Sequence, residues 1–321
     1  MLRRIARFFI SPILNAFREG TACHTRQEPI AALLPLSCSY RVAGRKGSLM
    51  QAFHGDPTIK ARYLDRLQQE RTAGAIRQRR DTESDTEIWM LGQGSAVGCT
   101  IQANDYTLYE SQLGIPTALA YLEDCLFQGL PKKQAMRWPE AFLSTIRVRA
   151  DLARVGDQFL VWTLVDAEMG VIHLASNIAV KTLIQETAAL YQRQLAGESI
   201  AQETWNAVRN TAYTLIYRLP RPPMGDLSAN RAAAAVAFSA TDAQVTAIQN
   251  AARAVADAAT QAAQAWGDAV IVRDGSLDYR GILKGGSVPY GKRINYPRVY
   301  EAIRAHYRHM SIEILALLRA V

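Results

Sequence analysis

Apolar side chains recur along most of this chain at three- and four-residue intervals, the spacing of one helix face. Asp56 and Pro57 suit an N-cap and a first helical turn, and Ile59, Tyr63 and Leu67 repeat behind them, which predicts a helix to about Gly74. Pro116, then Leu119, Leu122 and Leu126 on one face, then Gly129 and Pro131 as stop signals, predict another. A third helix spans Asn177 to Ala196, with Val180, Leu183, Ile184, Leu190, Tyr191 and Leu195 inward. A fourth starts at Ser199, with Gln202 closing a capping box, and turns Trp205, Val208, Ala212, Leu215 and Leu219 inward. "PRPP" from Pro220 to Pro223 ends it. Thr241 and Gln244 form a second capping box, dividing the region 228–269 into two helices. The last helix runs from about Pro297 to Leu318 on Val299, Ile303, Tyr307, Met310, Ile314 and Leu317. "DQFLVWTLVD" from Asp157 is apolar on successive positions and fits a buried helix or a strand. Asp274 and Gly275 suggest a small hairpin. The expected fold is all-α or mostly α: a multi-helix globular body, an alanine-rich helical region and that one hairpin.

Composition sharpens this picture. With 321 residues, 49% of them hydrophobic, the chain can bury one large core or two ordinary ones. Alanine occupies 19 of the 42 positions from Ser228 to Ala269, favouring helix and allowing close backbone approach. The net charge is +8, of which residues 1–49 hold +6: Arg3, Arg4, Arg7, Arg18, Arg26, Arg41, Arg45 and Lys46 against Glu19 and Glu28. The body is therefore nearly neutral. Residues 2–18 read as a basic amphipathic segment with Phe8, Phe9, Ile13 and Phe17 apolar, and residues 20–49 as a linker. The expected organisation is a basic extension and linker at 1–49, a helical body at 50–219, and alanine-rich helices, hairpin and terminal helix at 220–321.

No apolar run approaches the roughly 18 residues that a membrane span requires. Cys23, Cys38, Cys99 and Cys125 show neither disulfide-framework nor zinc-knuckle spacing, which favours a reducing compartment; the expected location is the cytoplasm.

The segments "AFHGDPTIKARYL", "GSAVGCTI", "QLGIPTALAYLEDCLFQGLP" and "RWPEAFLSTIRVRADL" resemble, in that order, a family of uncharacterised bacterial and phage proteins. The resemblance covers about Gln51 to Glu186. It implies a mostly helical architecture and brings no known activity. In the family the glycine-rich segment reads "GCAVGCTIH"; Ser95 and Gln102 stand here in place of its first cysteine and its histidine. A thiol or metal site built from those groups would lack two of its members.

Candidate chemistry is sparse. Gly92, Gly94 and Gly98 give G-x-G-x-x-x-G, one position longer than a dinucleotide fingerprint; Asp105 and Glu110 come too early to meet a ribose, while Glu123 and Asp124 stay open for that role. Glycines serving tight turns and close packing explain the pattern more simply. Gly286, Gly291 and Lys292 match phosphate-loop spacing, but Arg293 replaces the hydroxyl that would hold magnesium. Lys284, Lys292 and Arg293 remain phosphate-binding candidates of a solvated basic loop. Cys99 is the one thiol in a turn-like setting, with His54 and His173 as available bases; these three are the catalytic candidates. His306 and His309 share a helix face without a carboxylate partner, so a partly exposed helix end is expected and no metal or cofactor. The five tryptophans are dispersed and read as core.

Because no reactive constellation is complete, the leading expectation is a non-enzymatic interaction or scaffold protein that binds a protein partner or itself. The alternative is an enzyme or small-ligand-binding protein using Cys99 with His54 or His173. A third reading is weak association with nucleic acid or an anionic membrane through residues 1–49.

Overall fold

The computed structural model describes residues 50–79, 92–218, 225–245, 248–273 and 296–321. The basic extension, the centre of the charged loop with Trp89, the "PRPP" run, the hairpin at Asp274 and the phosphate candidates Lys284, Lys292 and Arg293 lie outside them.

Among the described residues, helices form where the apolar spacing is helical. They are α1 (Pro57–Thr72), α2 (Ala96–Ile101), α3 (Leu108–Leu113), α4 (Thr117–Gly129), α5 (Lys132–Ala135), α6 (Trp138–Thr145), α7 (Val155–Val165), α8 (Ile178–Leu195), α9 (Gln202–Arg218), α10 (Gly225–Val245), α11 (Ile248–Arg273) and α12 (Tyr296–Ala320). Two 3₁₀ turns, Ala52–Gly55 and Val171–Leu174, join them. Among the described residues β pairing is limited to two isolated bridges, Gln51 with Asp151 and Ile76 with Gly94. The fold is all-α.

Local chemistry sets several ends as the spacing predicts. Asp56 Oδ1 accepts from Thr58 N at 2.8 Å at the start of α1, and Asn177 Oδ1 accepts from Ala179 N at 2.8 Å at the start of α8. The ambiguous run at Asp157 is the helix α7, which buries Phe159, Leu160, Thr163 and Leu164 against α8, α11 and α12. Its all-round apolar surface is that of a helix enclosed by others.

Both predicted capping boxes are absent. Helix α9 begins at Gln202, and that side chain donates to the Gln244 carbonyl at 3.1 Å instead of reaching back to Ser199. Thr241 lies inside α10, fully buried, and its hydroxyl donates to the Phe238 carbonyl at 2.7 Å. There are two alanine-rich helices, but packing carries the first to Val245 and overrides the local cap signal.

The alanine helices are not a separate packing unit. One hydrophobic core runs from Ala52 to Leu318, and Ala233, Ala237, Ala240, Ala258 and Ala262 belong to it. Helices α10 and α11 are separated by only two residues and pack along each other as an antiparallel pair. Helix α11 then lies on α4 and α12, while α10 lies on α8 and α9. Asn230 of α10 fastens this pair to the body: its Oδ1 accepts from Ser176 N and Asn177 N, each at 2.9 Å. The described residues from Met50 onward thus cluster as one compact unit.

Candidate functional site

The glycine- and cysteine-containing segment is a short buried helix, α2, where a turn was expected. Ser95 caps it by accepting from Gly98 N at 3.3 Å, and Asp124 of α4 accepts from Val97 N at 3.3 Å. The amides that a phosphate would need already face a hydroxyl and a carboxylate of this chain. Gly94 is explained by packing, since a Cβ there would come within 3.0 Å of Cys99 Sγ. Asp124 also accepts from the Tyr106 hydroxyl at 2.8 Å. It is a tertiary clamp on α2.

Cys99 is 2% exposed. Burial, with the Glu70 and Asp124 carboxylates adding to it, pushes its thiol up to about 12, so the thiolate needed for attack is scarce at neutral pH. The small cleft beside it, about 220 Å³, is lined by Glu70, Gly92, Gln93 and Gln102. His54 and His173 are not among these residues. His54 Nε2 donates to the Ser111 carbonyl at 3.1 Å, and His173 Nε2 donates to the Asp166 carbonyl at 2.9 Å. The structure does not gather the three catalytic candidates around this cleft. Cys125 is held at 3.2 Å from Thr260 Oγ1, and burial pushes its thiol up to about 11.

Of the histidine pair on α12, His309 is exposed as expected, whereas His306 is enclosed. His306 is 1% exposed, stacked between Trp162 at 6.2 Å and Trp266 at 5.6 Å, and among the described residues neither ring nitrogen has a hydrogen-bond partner. Among the described residues no three His, Cys, Asp or Glu side chains group as a metal site.

A buried acid that the sequence did not single out for its own chemistry lies under α2. Glu123 Oε2 accepts from the Tyr109 hydroxyl at 2.7 Å, while Oε1 has no partner. Burial, with Asp124 adding to it and against the Tyr109 hydrogen bond, raises this carboxyl well above the usual range, so the fold favours its protonated form. The unfolded chain ionises above about pH 4.5 and the folded chain does not, so rising pH draws on stability there. Glu123→Gln keeps the shape and removes that drain. Its stability relative to the parent should therefore improve with pH, by up to about 1.4 kcal/mol per unit above the unfolded value. Urea unfolding of both proteins at about pH 5 and pH 7 tests this, and a pH-independent difference between them would be inconsistent with a protonated Glu123.

An open surface crosses Met136. One hollow of about 620 Å³ has Leu130, Met136, Trp138 and Leu315 as apolar lining, with Lys133 and Arg137 at its edge. A second of about 400 Å³ shares Met136 and adds Ile76, Arg77 and Lys132. Among the described residues no carboxylate lines either hollow. The local cause is the segment "PKKQAMRWP". Pro131 and Pro139 bracket the one-turn helix α5, which buries Ala135 and leaves Lys132, Lys133 and Gln134 exposed. Helix α12 supplies the far wall, with Ser311 and Leu315 in the hollow and Ile312, 65% exposed, on the adjoining turn. Helical periodicity could not find this surface, because Lys132, Lys133 and Arg137 fall in a short irregular stretch and its other wall lies some 175 residues further along the chain. No helix among the described residues is long and apolar enough to cross a membrane. Comparison with protein-family models, curated proteins and solved structures gives no match.

Proposed function

We propose that this protein acts by binding and not by catalysis, as an interaction protein whose partner presents an acidic, amphipathic segment to the groove across Met136. The observation that carries this reading is the pairing of an apolar floor with the exposed cations Lys132, Lys133 and Arg137, with no carboxylate among the described residues that line it. An amphipathic helix laid in such a groove gains apolar burial on one face and charge pairing at the rim. The raised thiols of the buried Cys99 and the half-buried Cys125 support a non-catalytic role, since neither supplies a ready nucleophile.

The test uses the full chain and a synthetic helical peptide of alternating leucine and glutamate faces, with a lysine-for-glutamate version as control. Fluorescence anisotropy should show binding of the acidic peptide alone. The triple variant Lys132→Glu, Lys133→Glu, Arg137→Glu changes exposed positions, so the fold is retained and affinity should fall at least about tenfold. Equal binding of both peptides, or binding indifferent to the triple variant, would remove the groove from the proposal. Loss of duplex DNA binding in the same variant, with no peptide binding at all, would replace the protein partner by a nucleic acid.

A further inference from the structure

Among the described residues, Met136 is the one lining residue that the two hollows of the groove share. It ends the one-turn helix α5, its N–H donating to the Lys132 carbonyl at 3.1 Å. Of the apolar residues around it, Ile76, Leu130 and Trp138 are buried, whereas Met136, Ala141 and Leu315 are half-buried. The floor that a partner touches therefore runs through a thioether. Such a side chain is unbranched and polarisable and adapts to an apolar guest, and it is also open to attack by a two-electron oxidant.

The other sulfur atoms of the described residues are placed differently. Cys99 is enclosed and Met310 is fully buried. Peroxides attack the thiolate of a cysteine, and burial pushes the Cys99 and Cys125 thiols up to about 12 and about 11, so little thiolate forms at neutral pH. A thioether has no proton to lose, so this protection does not extend to Met136. Met50 is exposed and Met169 half-buried, but neither lines the groove.

We infer that Met136 is an oxidative modification site, and that its conversion to the sulfoxide by hydrogen peroxide releases the partner from the groove. The inference rests on the groove being the docking site proposed above. In the step, a sulfur lone pair attacks one peroxide oxygen: an S–O bond forms, the O–O bond breaks, and the proton on the transferred oxygen passes to the leaving hydroxide, which departs as water. Sulfur is oxidised by two electrons and the peroxide is reduced. The product sets a polar oxygen in an apolar floor. Beneath a docked helix that oxygen is either left without a donor or draws Lys133 or Arg137 away from the acidic residues of the partner, and each outcome weakens docking. Reduction of the sulfoxide restores the thioether, so the modification is reversible.

The test uses the full chain, the acidic leucine–glutamate peptide and hydrogen peroxide that is removed before binding is measured. Peptide mapping by mass spectrometry should find the sulfoxide at Met136 before oxidation of Met310, Cys99 or Cys125, and peptide bound during the treatment should protect Met136. Fluorescence anisotropy should show affinity falling at least about tenfold after oxidation and returning after treatment with methionine sulfoxide reductase. Met136→Leu keeps the apolar volume, so it should bind as the parent does and keep its affinity through the peroxide treatment. Met136→Gln places a polar group in the floor and should bind at least about tenfold more weakly without any oxidant. If Met136→Gln fails to fold, the Met136→Leu result decides. An untreated chain that binds the peptide but keeps its affinity with Met136 oxidised, a Met136 that peroxide leaves intact, or a Met136→Leu variant that loses affinity as the parent does overturns the inference and leaves the groove reading standing. No peptide binding by the untreated chain removes both.

Discussion

Gly114→Ala should be among the most destabilising single substitutions in this chain. Gly114 ends α3 in the left-handed region, at φ +62°, and a Cβ there would lie 2.2 Å from the Gln51 carbonyl oxygen. That oxygen cannot easily retreat. The Gln51 carbonyl accepts from His54 N at 2.9 Å, and the neighbouring Ala52 is held by Ala150 and Arg149, each at 3.0 Å. The turn that follows is itself left-handed at Phe53, His54 and Gly55, and the fully buried Phe53 ring anchors it in the core. Left-handed backbone costs an alanine about 1 kcal/mol, and the forced displacement of hydrogen-bonded backbone adds to it, for a total of at least about 3 kcal/mol. The melting temperature should fall by roughly 6 °C or more. Gly74→Ala is the internal control, since Gly74 is also left-handed, at φ +70°, but has nothing within 4 Å of the new Cβ. It should lose only the conformational part. Equal losses in the two variants would mean that the approach of Gln51 to Gly114 carries no energetic weight.

Mild acid should weaken the fold through His306. Its burial, with the neighbouring charge of His309 acting in the same direction, lowers the imidazole from 6.5 to about 3. Below pH 6.5 the unfolded chain takes up a proton that the folded chain refuses, so stability present above that pH is lost as pH falls towards 3. The slope is about 1.4 kcal/mol per pH unit and the full span corresponds to about 5 kcal/mol. The two indole faces attract an imidazolium, but a desolvated cation–π contact contributes about 2 kcal/mol, which narrows the window without reversing its sign. His306→Phe keeps a ring between Trp162 and Trp266 and has nothing to protonate. Chemical denaturation of both proteins from neutral pH to about pH 4 should show the parent losing stability more steeply. The comparison is of slopes, so a constant offset from the larger ring does not affect it. Parallel slopes would show that His306 is protonated in the folded state without penalty.

Helix positions were legible because their signals are local. Asp56 and Pro57 start α1, Asn177 starts α8, and the apolar spacing of Val180, Leu183, Ile184, Leu190 and Tyr191 marks the face that α8 buries. Each of these reads out over a turn or two of backbone, where hydrogen bonding and side-chain spacing act between near neighbours. The same reasoning misplaced Thr241. It has the chemistry of a cap, but the burial of α10 against its neighbours outweighs a single capping bond.

The candidate sites were less legible for a related reason. Cys99 carries the residue type of a nucleophile, but its environment is set by Glu70, Asp124 and the closure of the core over α2, which lie up to 29 residues away in the chain. Gly129 reads as a helix stop. In the fold it is a contact surface, where a Cβ would meet the Tyr307 ring at 2.3 Å. The groove needed α5 to meet α12, and the sandwich around His306 needed α7, α11 and α12 together.

By itself, then, the sequence determined that this chain is helical, where several of the longer helices begin, and which faces they bury, because propensity, capping and periodicity are short-range properties of the backbone. Tertiary structure alone decided which polar groups lose their water, which cations share a rim, and which glycines admit a neighbour. Those outcomes depend on packing between residues that can be 100 to 180 positions apart, and desolvation and steric exclusion act only once that packing has closed.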